Sequence, residues 1–196
     1  MSAFDVISLS RFESFGGFAE GYSFDDFQCP LNEEVETFLK RKALQSEKLG
    51  GSRSYLVLRN DELLGYFTLV LKSFSVPDAV LSKSNRKLIS RFARLDAKSG
   101  CYHAAVYLIA QIGKNFAIAA DRRIKGRELL SLAFDKLRIA QDAVGGKLVM
   151  VEREFERPAL LEFYNANNFK SWNRRADEGD GVIYDQMLCV LEPNAN

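Results

Sequence analysis

The apolar run AAVYLIAQI at positions 104–112 and a later run, KLVMVE, at positions 147–152 decide the fold of this chain. Each is rich in β-branched residues and too short to span a membrane, as expected of strands buried on both faces of a sheet. Between them Gly126 opens a helix, and Gly145 with Gly146 ends it. This order predicts a βαβ unit with two parallel strands. The helical stripe consists of Leu130, Phe134, Leu137, Ala140 and Val144.

A basic loop separates the first of these strands from the helix. It holds Lys114, Arg122, Arg123 and Lys125. A helix N-terminus presents unpaired N–H groups and a positive dipole end, so this loop suits a pyrophosphate. Neither GxGxxG nor GxxxxGK[ST] occurs in the chain, which removes two common classes of phosphate site and disfavours other α/β nucleotide binders.

Three segments, DRRIKGRELLSLAFDKL (121–137), LVMVERE (148–154) and PALLEFYNANNF (158–169), together resemble the GNAT acetyltransferases. The resemblance extends over most of the chain. It implies an α/β (α+β in some schemes) fold, in which helices flank a mixed, mostly antiparallel sheet with a central, splayed parallel pair. It also implies that acetyl-CoA is the co-substrate.

The glycine motif of that family, Gln/Arg-x-x-Gly-x-Gly/Ala before a leucine pair, is altered here. Gly126 matches the last glycine, while Asp121 and Ile124 stand at the Gln/Arg and first-glycine positions. A second register uses Arg123 with Gly126 and places Glu128 on the last glycine; the sequence leaves both open. The cofactor-binding residues implied by the resemblance are Ile109, Gln111, Ile112, Arg122, Arg123, Lys125, Gly126, Arg127 and Glu128.

Three residues are candidates for catalysis. By resemblance, Tyr164 matches the tyrosine that protonates the departing thiolate; the alternative is a packed aromatic residue with a hydrogen-bonded hydroxyl. Glu152 and Glu154 end the second strand, where ligands bind in open α/β sheets, so either is a candidate general base, directly or through water. The alternative for both is a salt-bridge partner. No metal-ligand cluster is indicated.

The N-terminal half sharpens the resemblance. A helix over 31–48, capped by Asn32, is predicted from its inward stripe, and a hairpin is predicted around residues 60–62. The segments FQCPLNEEVETFLKRKAL (27–44) and SYLVLRNDELLGYFTL (54–69) are similar to a GNAT branch that includes toxins acetylating aminoacyl-tRNA. Such toxins usually pair with a small antitoxin. The branch therefore implies charged tRNA and an antitoxin as candidate partners.

A basic segment at 82–95 is predicted to be one helix with five cations above an apolar stripe. It is interpreted either as a solvated face or as a docking surface for an anionic partner such as folded RNA. The cations are Lys83, Arg86, Lys87, Arg91 and Arg94, and the stripe is Leu88, Ile89, Phe92 and Leu95.

The two ends of the chain carry weaker signals. A short strand near Val6 and an aromatic loop are expected before residue 30. A helix over 158–167, a last strand over 182–191 and a frayed tail at 193–196 are expected at the other end.

Composition bounds the function. The 196 residues, 47% of them hydrophobic, suit one domain over 1–196. Because 27 basic residues nearly balance 26 acidic ones, a generally polycationic nucleic-acid binder is excluded. Three dispersed cysteines and the lack of an apolar leader or span indicate a reduced, cytoplasmic home without membrane contact.

We expect an N-acetyltransferase acting on a primary amine of a small molecule, protein or charged tRNA, as a monomer or homodimer. The alternative is a GNAT-fold binding or interaction protein with weakened or lost acetyl-CoA binding.

Overall fold

The computed structural model describes residues 4–14, 23–177, 179 and 181–192. Its helices are α1 (Leu9–Ser14), α2 (Glu33–Thr37), α3 (Ala43–Lys48), α4 (Lys83–Ile89), α5 (Gly126–Val144) and α6 (Pro158–Ala166). Its strands are β1 (Asp5–Ser8), β2 (Arg53–Arg59), β3 (Glu62–Pro77), β4 (Leu95–Asp96), β5 (Cys101–Lys114), β6 (Leu148–Glu154), β7 (Lys170–Ala176) and β8 (Ile183–Val190). None of the described helices is long and apolar enough to cross a membrane.

The strands form a mixed sheet in the order β1-β2-β3-β5-β6-β8-β7, with β4 paired with β5. β5 and β6 run parallel, whereas β1-β2, β2-β3, β4-β5, β6-β8 and β7-β8 are antiparallel pairs. The predicted fold class and the predicted parallel strands are therefore confirmed. The parallel ladder joins Tyr107 to Val149 and Leu108 to Met150; the splay beyond it stays a prediction.

Contacts divide the chain into two compact units, 1–70 with 109–136 and 71–108 with 137–196. β3, β5 and α5 contribute residues to both. The expectation of a single domain stays a prediction.

The first unit is built on the predicted hairpin of β2 and β3. Its turn residues Asn60 and Asp61 have φ angles of 50° and 61°, as the left-handed two-residue turns that match strand twist require. The hairpin residue Gly65 is also required for close packing, because a Cβ there would lie 2.6 Å from the carbonyl oxygen of Gly113 on β5. The core of this unit includes Leu9, Phe27, Val35, Leu39, Leu56, Leu58, Leu63 and Tyr66.

The helix predicted over 31–48 is present but interrupted. Asn32 Oδ1 accepts the Val35 N–H at 3.2 Å, so the predicted cap is confirmed. Between α2 and α3 the chain makes a π turn, Phe38–Lys42, in which the N–H of Ala43 donates to the carbonyl of Phe38. Four residues at a strict spacing of four are buried along this helix: Val35, Leu39, Ala43 and Glu47.

The second unit contains the β6-β8-β7 ladder with β7 at its edge. α6 begins with Pro158 in its first turn, and Asn168 takes a left-handed conformation, φ 65°, just beyond its end. The N–H of Phe169 then donates to the carbonyl of Tyr164 at 3.0 Å, which closes the helix.

Two predictions about elements are wrong, and one strand was not predicted. The basic helix ends at Ile89 rather than Leu95, and Leu95 is exposed in β4 instead of lying in an apolar stripe. Val144, placed on the buried stripe of α5, is exposed because it occupies the last turn of that helix. β7 was missed because its sequence, KSWNRRA, has an edge strand's charges rather than alternating apolar residues. Most of the predicted aromatic loop, at 15–22, and the predicted tail at 193–196 lie outside the described residues.

Candidate functional site

The basic loop leaves β5 through a buried asparagine. Asn115 Oδ1 accepts the N–H groups of Gln28 and Ala117 at 3.1 and 3.0 Å, and its Nδ2 donates to the carbonyl of Leu63 at 2.9 Å. With its backbone N–H also bonded to Leu64, this side chain fixes the start of the loop in the first unit. Sequence reasoning missed Asn115, since a single amide gives no spacing signal.

Arg123 folds the loop around itself. Its guanidinium lies 4.4 Å from the centroid of the Phe116 ring, and Nη2 donates to the carbonyls of Phe116 and Ile118 at 3.1 and 2.8 Å. The loop carbonyls thus use Nη2, while Nε is buried without a hydrogen-bond partner among the described residues. Its geometry therefore fits a structural role at least as well as contact with a pyrophosphate.

The other loop cations differ in how free they are. Arg122 pairs with both carboxylate oxygens of Glu62 at 3.0 Å. Lys125 and Arg127 are exposed, and no ion pair involves them within the described part of the chain. These two are therefore the side chains best placed to meet a phosphate.

The N-terminus of α5 carries a carboxylate. The backbone N–H of Lys125 donates to Glu128 Oε2 at 2.8 Å, the arrangement of half a capping box. This bond stabilises the helix start, but it places a negative charge where a pyrophosphate would bind. The negative charge of Glu128 thus weakens the binding of acetyl-CoA expected at this site, whereas the cations Lys125 and Arg127, unpaired among the described residues, favour it.

The three strand residues predicted to line the cofactor lie near the end of β5. Ile109 is buried, while Gln111 and Ile112 are half-buried. Because the Ile109 side chain is buried, this residue offers a ligand little more than its backbone. Gln111 Nε2 donates to Glu34 Oε1 at 3.2 Å.

Tyr164 lies on α6 of the second unit, among aromatic rings. The Phe163 and Phe169 rings meet it edge to face, with centroids 5.2 and 5.4 Å away. The side chain is buried, and this burial raises the pKa of Tyr164 to about 12. Its phenol is therefore protonated at neutral pH, as a proton donor must be.

Glu152 is the centre of a polar cluster on β6. Its carboxylate accepts from Gln186 Nε2 at 2.7 Å, from Arg175 at 3.0 and 3.2 Å, and from Lys72 Nζ at 3.3 Å. Burial by itself would raise the pKa of Glu152, but the hydrogen bonds from Arg175 and Gln186 and the charge of Lys72 outweigh it and lower the pKa to about 2. A carboxylate held in this way is ionised yet weakly basic.

This cluster predicts a pH-dependent contribution to stability. The folded pKa lies below the ordinary 4.5, so the contribution is complete above that pH and is lost as the pH falls through about 2. We expect Glu152→Gln to lower the free energy of unfolding by about 1–2 kcal/mol near pH 7, after discounting for solvent screening of the cations. Urea unfolding at about pH 7 and about pH 3 should show this difference shrinking. An equal difference in the free energy of unfolding at both pH values would contradict the conclusion that the cluster lowers the pKa of Glu152.

Glu154, the second candidate base, makes a local ion pair. Its Oε2 accepts from Arg157 Nε at 2.6 Å, three residues along the chain, with both side chains partly exposed. This contact matches the alternative considered for it, a salt-bridge partner. Its catalytic role stays a prediction.

Between the two glutamates, Arg153 is buried with Asp185 in a pair that sequence reasoning missed. Arg153 Nη2 lies 2.7 Å from Asp185 Oδ2, both side chains are 2% exposed, and Ser171 Oγ donates to the same oxygen at 2.7 Å. Arg153 Nη1 donates to the carbonyls of Glu154 and Phe155, each at 3.0 Å. The pair therefore holds the turn that leads into α6. The alternation of charges in VERE was the available signal.

The site predictions thus fall into two groups. The loop residues lie together in the first unit, and Tyr164, Glu152 and Glu154 lie in the second. The assignment of all of them to one active site stays a prediction. Among the described residues no group of His, Cys, Asp and Glu side chains could hold a metal ion.

The described residues form a mixed sheet with one parallel pair, whose strands are joined by a basic loop and a long helix, and this architecture matches a GNAT-like fold. Solved structures agree. AtaT complexed with acetyl-methionyl-tRNAfMet is 18% identical, with a TM-score of 0.61 over 92% of this chain and 93% of that chain. A tyrosine-to-phenylalanine mutant of KacT is 19% identical, with a TM-score of 0.62 over 94% and 95%. AtaTR bound with acetyl-CoA is 17% identical, with a TM-score of 0.57 over 95% and 94%.

These neighbours are GNAT-fold toxin acetyltransferases, and the chain shares their fold. No protein-family profile matches the sequence, and no curated protein matches it.

Proposed function

We propose that the protein is an N-acetyltransferase that moves the acetyl group of acetyl-CoA to a primary amine. The observation that carries the proposal is Tyr164, a buried phenol with a pKa near 12 on the helix that follows the second parallel strand. The likeness to AtaTR bound with acetyl-CoA supports the choice of donor.

The reaction needs a proton for the departing thiolate and an acceptor for the proton of the amine. The amine nitrogen attacks the thioester carbonyl carbon, a C–N bond forms, and the C–S bond breaks as the tetrahedral intermediate collapses. Tyr164 gives its phenolic proton to the sulfur. The nitrogen loses its proton to solvent, and the tyrosinate recovers one in the same way.

The base is proposed to be a water oriented by Glu152 or Glu154. Direct abstraction by Glu152 is disfavoured, since a carboxylate with a pKa near 2 is a weak proton acceptor. Glu154 is closer to solvent but is engaged by Arg157. Acting through water lets either carboxylate keep its ion pairs.

For the acceptor we propose the amino group of a charged tRNA. The support is the likeness to AtaT complexed with acetyl-methionyl-tRNAfMet. A small antitoxin is proposed as a partner on similar grounds, since one neighbour is a mutant of AtaT bound to the C-terminus of the antitoxin AtaR. Mass spectrometry of aminoacyl-tRNA incubated with the protein and acetyl-CoA tests the acceptor: a mass increase of one acetyl group is expected.

A second candidate function is a GNAT-fold binding or interaction protein in which acetyl-CoA binding is weakened or lost. The observations that favour it are Glu128 at the start of α5 and the neutralisation of Arg122 by Glu62. Calorimetric titration with acetyl-CoA separates the candidates, since the enzyme must bind it and the binding protein need not.

The carboxylate at the helix start gives a signed prediction. Glu128→Gln removes a charge that repels the pyrophosphate, which is worth about 1 kcal/mol near the surface, so acetyl-CoA affinity should rise about fivefold. Gly126→Asp adds a carboxylate at the same helix start and should lower the affinity. Glu33→Gln is the matched control, because Glu33 also lies in the first turn of a helix. Equal affinities in all four proteins would remove the loop from the site.

A further inference from the structure

The segment that follows β3 in the second unit concentrates positive charge. Between Ser82 and Gly100 it holds six Lys or Arg residues and one acid, whereas the whole chain has a formal net charge of +1. The excess is therefore local, and the remainder of the chain is net negative.

One of these cations is neutralised by a neighbouring carboxylate. Arg86 Nε lies 2.6 Å from Asp78 Oδ1, and its Nη2 donates to the carbonyl of Asp78 at 3.0 Å. Lys83, Lys87 and Arg91 are exposed, and no carboxylate pairs with them among the residues the structure describes. On α4, Lys83 and Lys87 are one turn apart, about 6 Å along the axis.

A second element extends the charge. Asn85 on α4 donates from Nδ2 to the carbonyl of Ser171 at 3.3 Å, which sets α4 beside the edge strand β7. β7 carries the exposed cations Lys170 and Arg174 on either side of this contact. We call the combined area the basic surface: Lys83, Lys87, Arg91, Arg94, Lys170 and Arg174.

Two aromatic rings near the basic surface each have a guanidinium close to one face. Arg174 lies over the Phe155 ring at 4.0 Å, and Arg91 lies 5.4 Å from the centroid of the half-buried Phe92 ring. Recognition of single strands relies on open aromatic faces that stack with bases. Here a guanidinium lies near one face of each of these two rings, so the surface favours contact with phosphates over contact with bases.

We infer that the basic surface docks the phosphate backbone of a folded RNA. Uncompensated cations on α4, on the segment that follows it and on β7 attract a polyanion by releasing its counterions. The choice of RNA rests on the proposed function, in which the acetylated amine is carried by a charged tRNA; the placement of the contact rests on the charges and on the Asn85 hydrogen bond.

The test is direct binding of deacylated bulk tRNA, without acetyl-CoA, over a range of salt concentrations. Reversal of Lys83, Lys87 and Arg91 to Glu should weaken binding at least about tenfold and reduce the salt slope by about three. The matched control reverses Arg41, Lys42 and Lys147, three exposed cations elsewhere, and should keep most of the affinity. Should the charge-reversed protein fail to fold, the same three positions changed to Gln give the same comparison with a smaller effect.

Four results would overturn the inference. They are no tRNA binding by the unaltered protein, equal losses of tRNA affinity in both triple variants, and equal affinity of the protein for tRNA and for duplex DNA. The fourth is that the charge reversals abolish binding of an acidic protein partner and leave RNA binding unchanged. The two proposals fail separately. Acetylation of a small amine should proceed normally in the triple variant, and a protein that binds tRNA through this surface but never acetylates it would refute the proposed function alone.

Discussion

Replacing Tyr164 by Phe is expected to lower kcat by about a hundredfold or more, the scale typical of a lost general acid. The ring and its edge-to-face contacts with Phe163 and Phe169 remain, so the affinity for acetyl-CoA and the stability should barely change. Because the pKa of the phenol is near 12, the donor is protonated throughout the usual assay range, and the loss should not depend on pH there. Steady-state kinetics with a small primary amine, together with calorimetry for acetyl-CoA, measures both quantities.

Tyr66→Phe is the matched control for this substitution. Tyr66 is also buried, and its hydroxyl donates to the Val35 carbonyl at 2.5 Å. Removing that hydroxyl should cost about 1–2 kcal/mol of stability and leave kcat unchanged. If Tyr164→Phe turned over normally, the residue would have the packing role and the proposed acid would have to be sought elsewhere.

Replacing Asp185 by Ala is expected to lower the free energy of unfolding by about 3–5 kcal/mol, because it leaves a buried guanidinium without its counterion. Arg153 is 2% exposed, and Ser171 would lose its acceptor as well. Arg153 also holds the turn into α6, so Tyr164 should become more mobile and activity should fall. Urea unfolding followed by circular dichroism measures the first effect.

The exposed ion pair of Glu154 and Arg157 is the control for the buried pair of Arg153 and Asp185. Glu154→Ala should cost less than about 1 kcal/mol, the usual worth of a surface ion pair. Replacing both members of the buried pair, as Arg153→Met with Asp185→Leu, should recover part of the lost stability, since no charge is then stranded. An Asp185→Ala protein as stable as the parent would show that water reaches Arg153.

Continuous apolar runs and helical periodicity were enough to predict the most buried elements. β5, β6 and α5 were predicted with nearly the observed bounds, because apolar runs and flanking glycines mark them. α4 was predicted too long, since a cationic helical pattern continues to Leu95 although the last helical residue is Ile89. Side-chain partners were beyond the sequence: nothing in the spacing pairs Arg153 with Asp185 or Arg122 with Glu62, which are brought together by strand pairing and by a turn.

The π turn between α2 and α3 sets how the helix can change length. In a regular α-helix, a residue lies about 40° around the axis from the residue four positions before it. After three such spacings the side chain would therefore point about 120° away from the first one, on another face of the helix. The wider turn at Phe38–Lys42 takes up that drift and keeps Glu47 facing inward, where its carboxylate accepts the N–H groups of Ser10 and Ser54 at 2.9 Å. A gene that lost the codon of Arg41 would convert the π turn into a regular helix, and because eleven residues at about 100° each make three full turns and about 20°, Glu47 would still face inward. The segment is thus open to the deletion of one residue, whereas the loss of a second would turn Glu47 out of its bonds by about 100°.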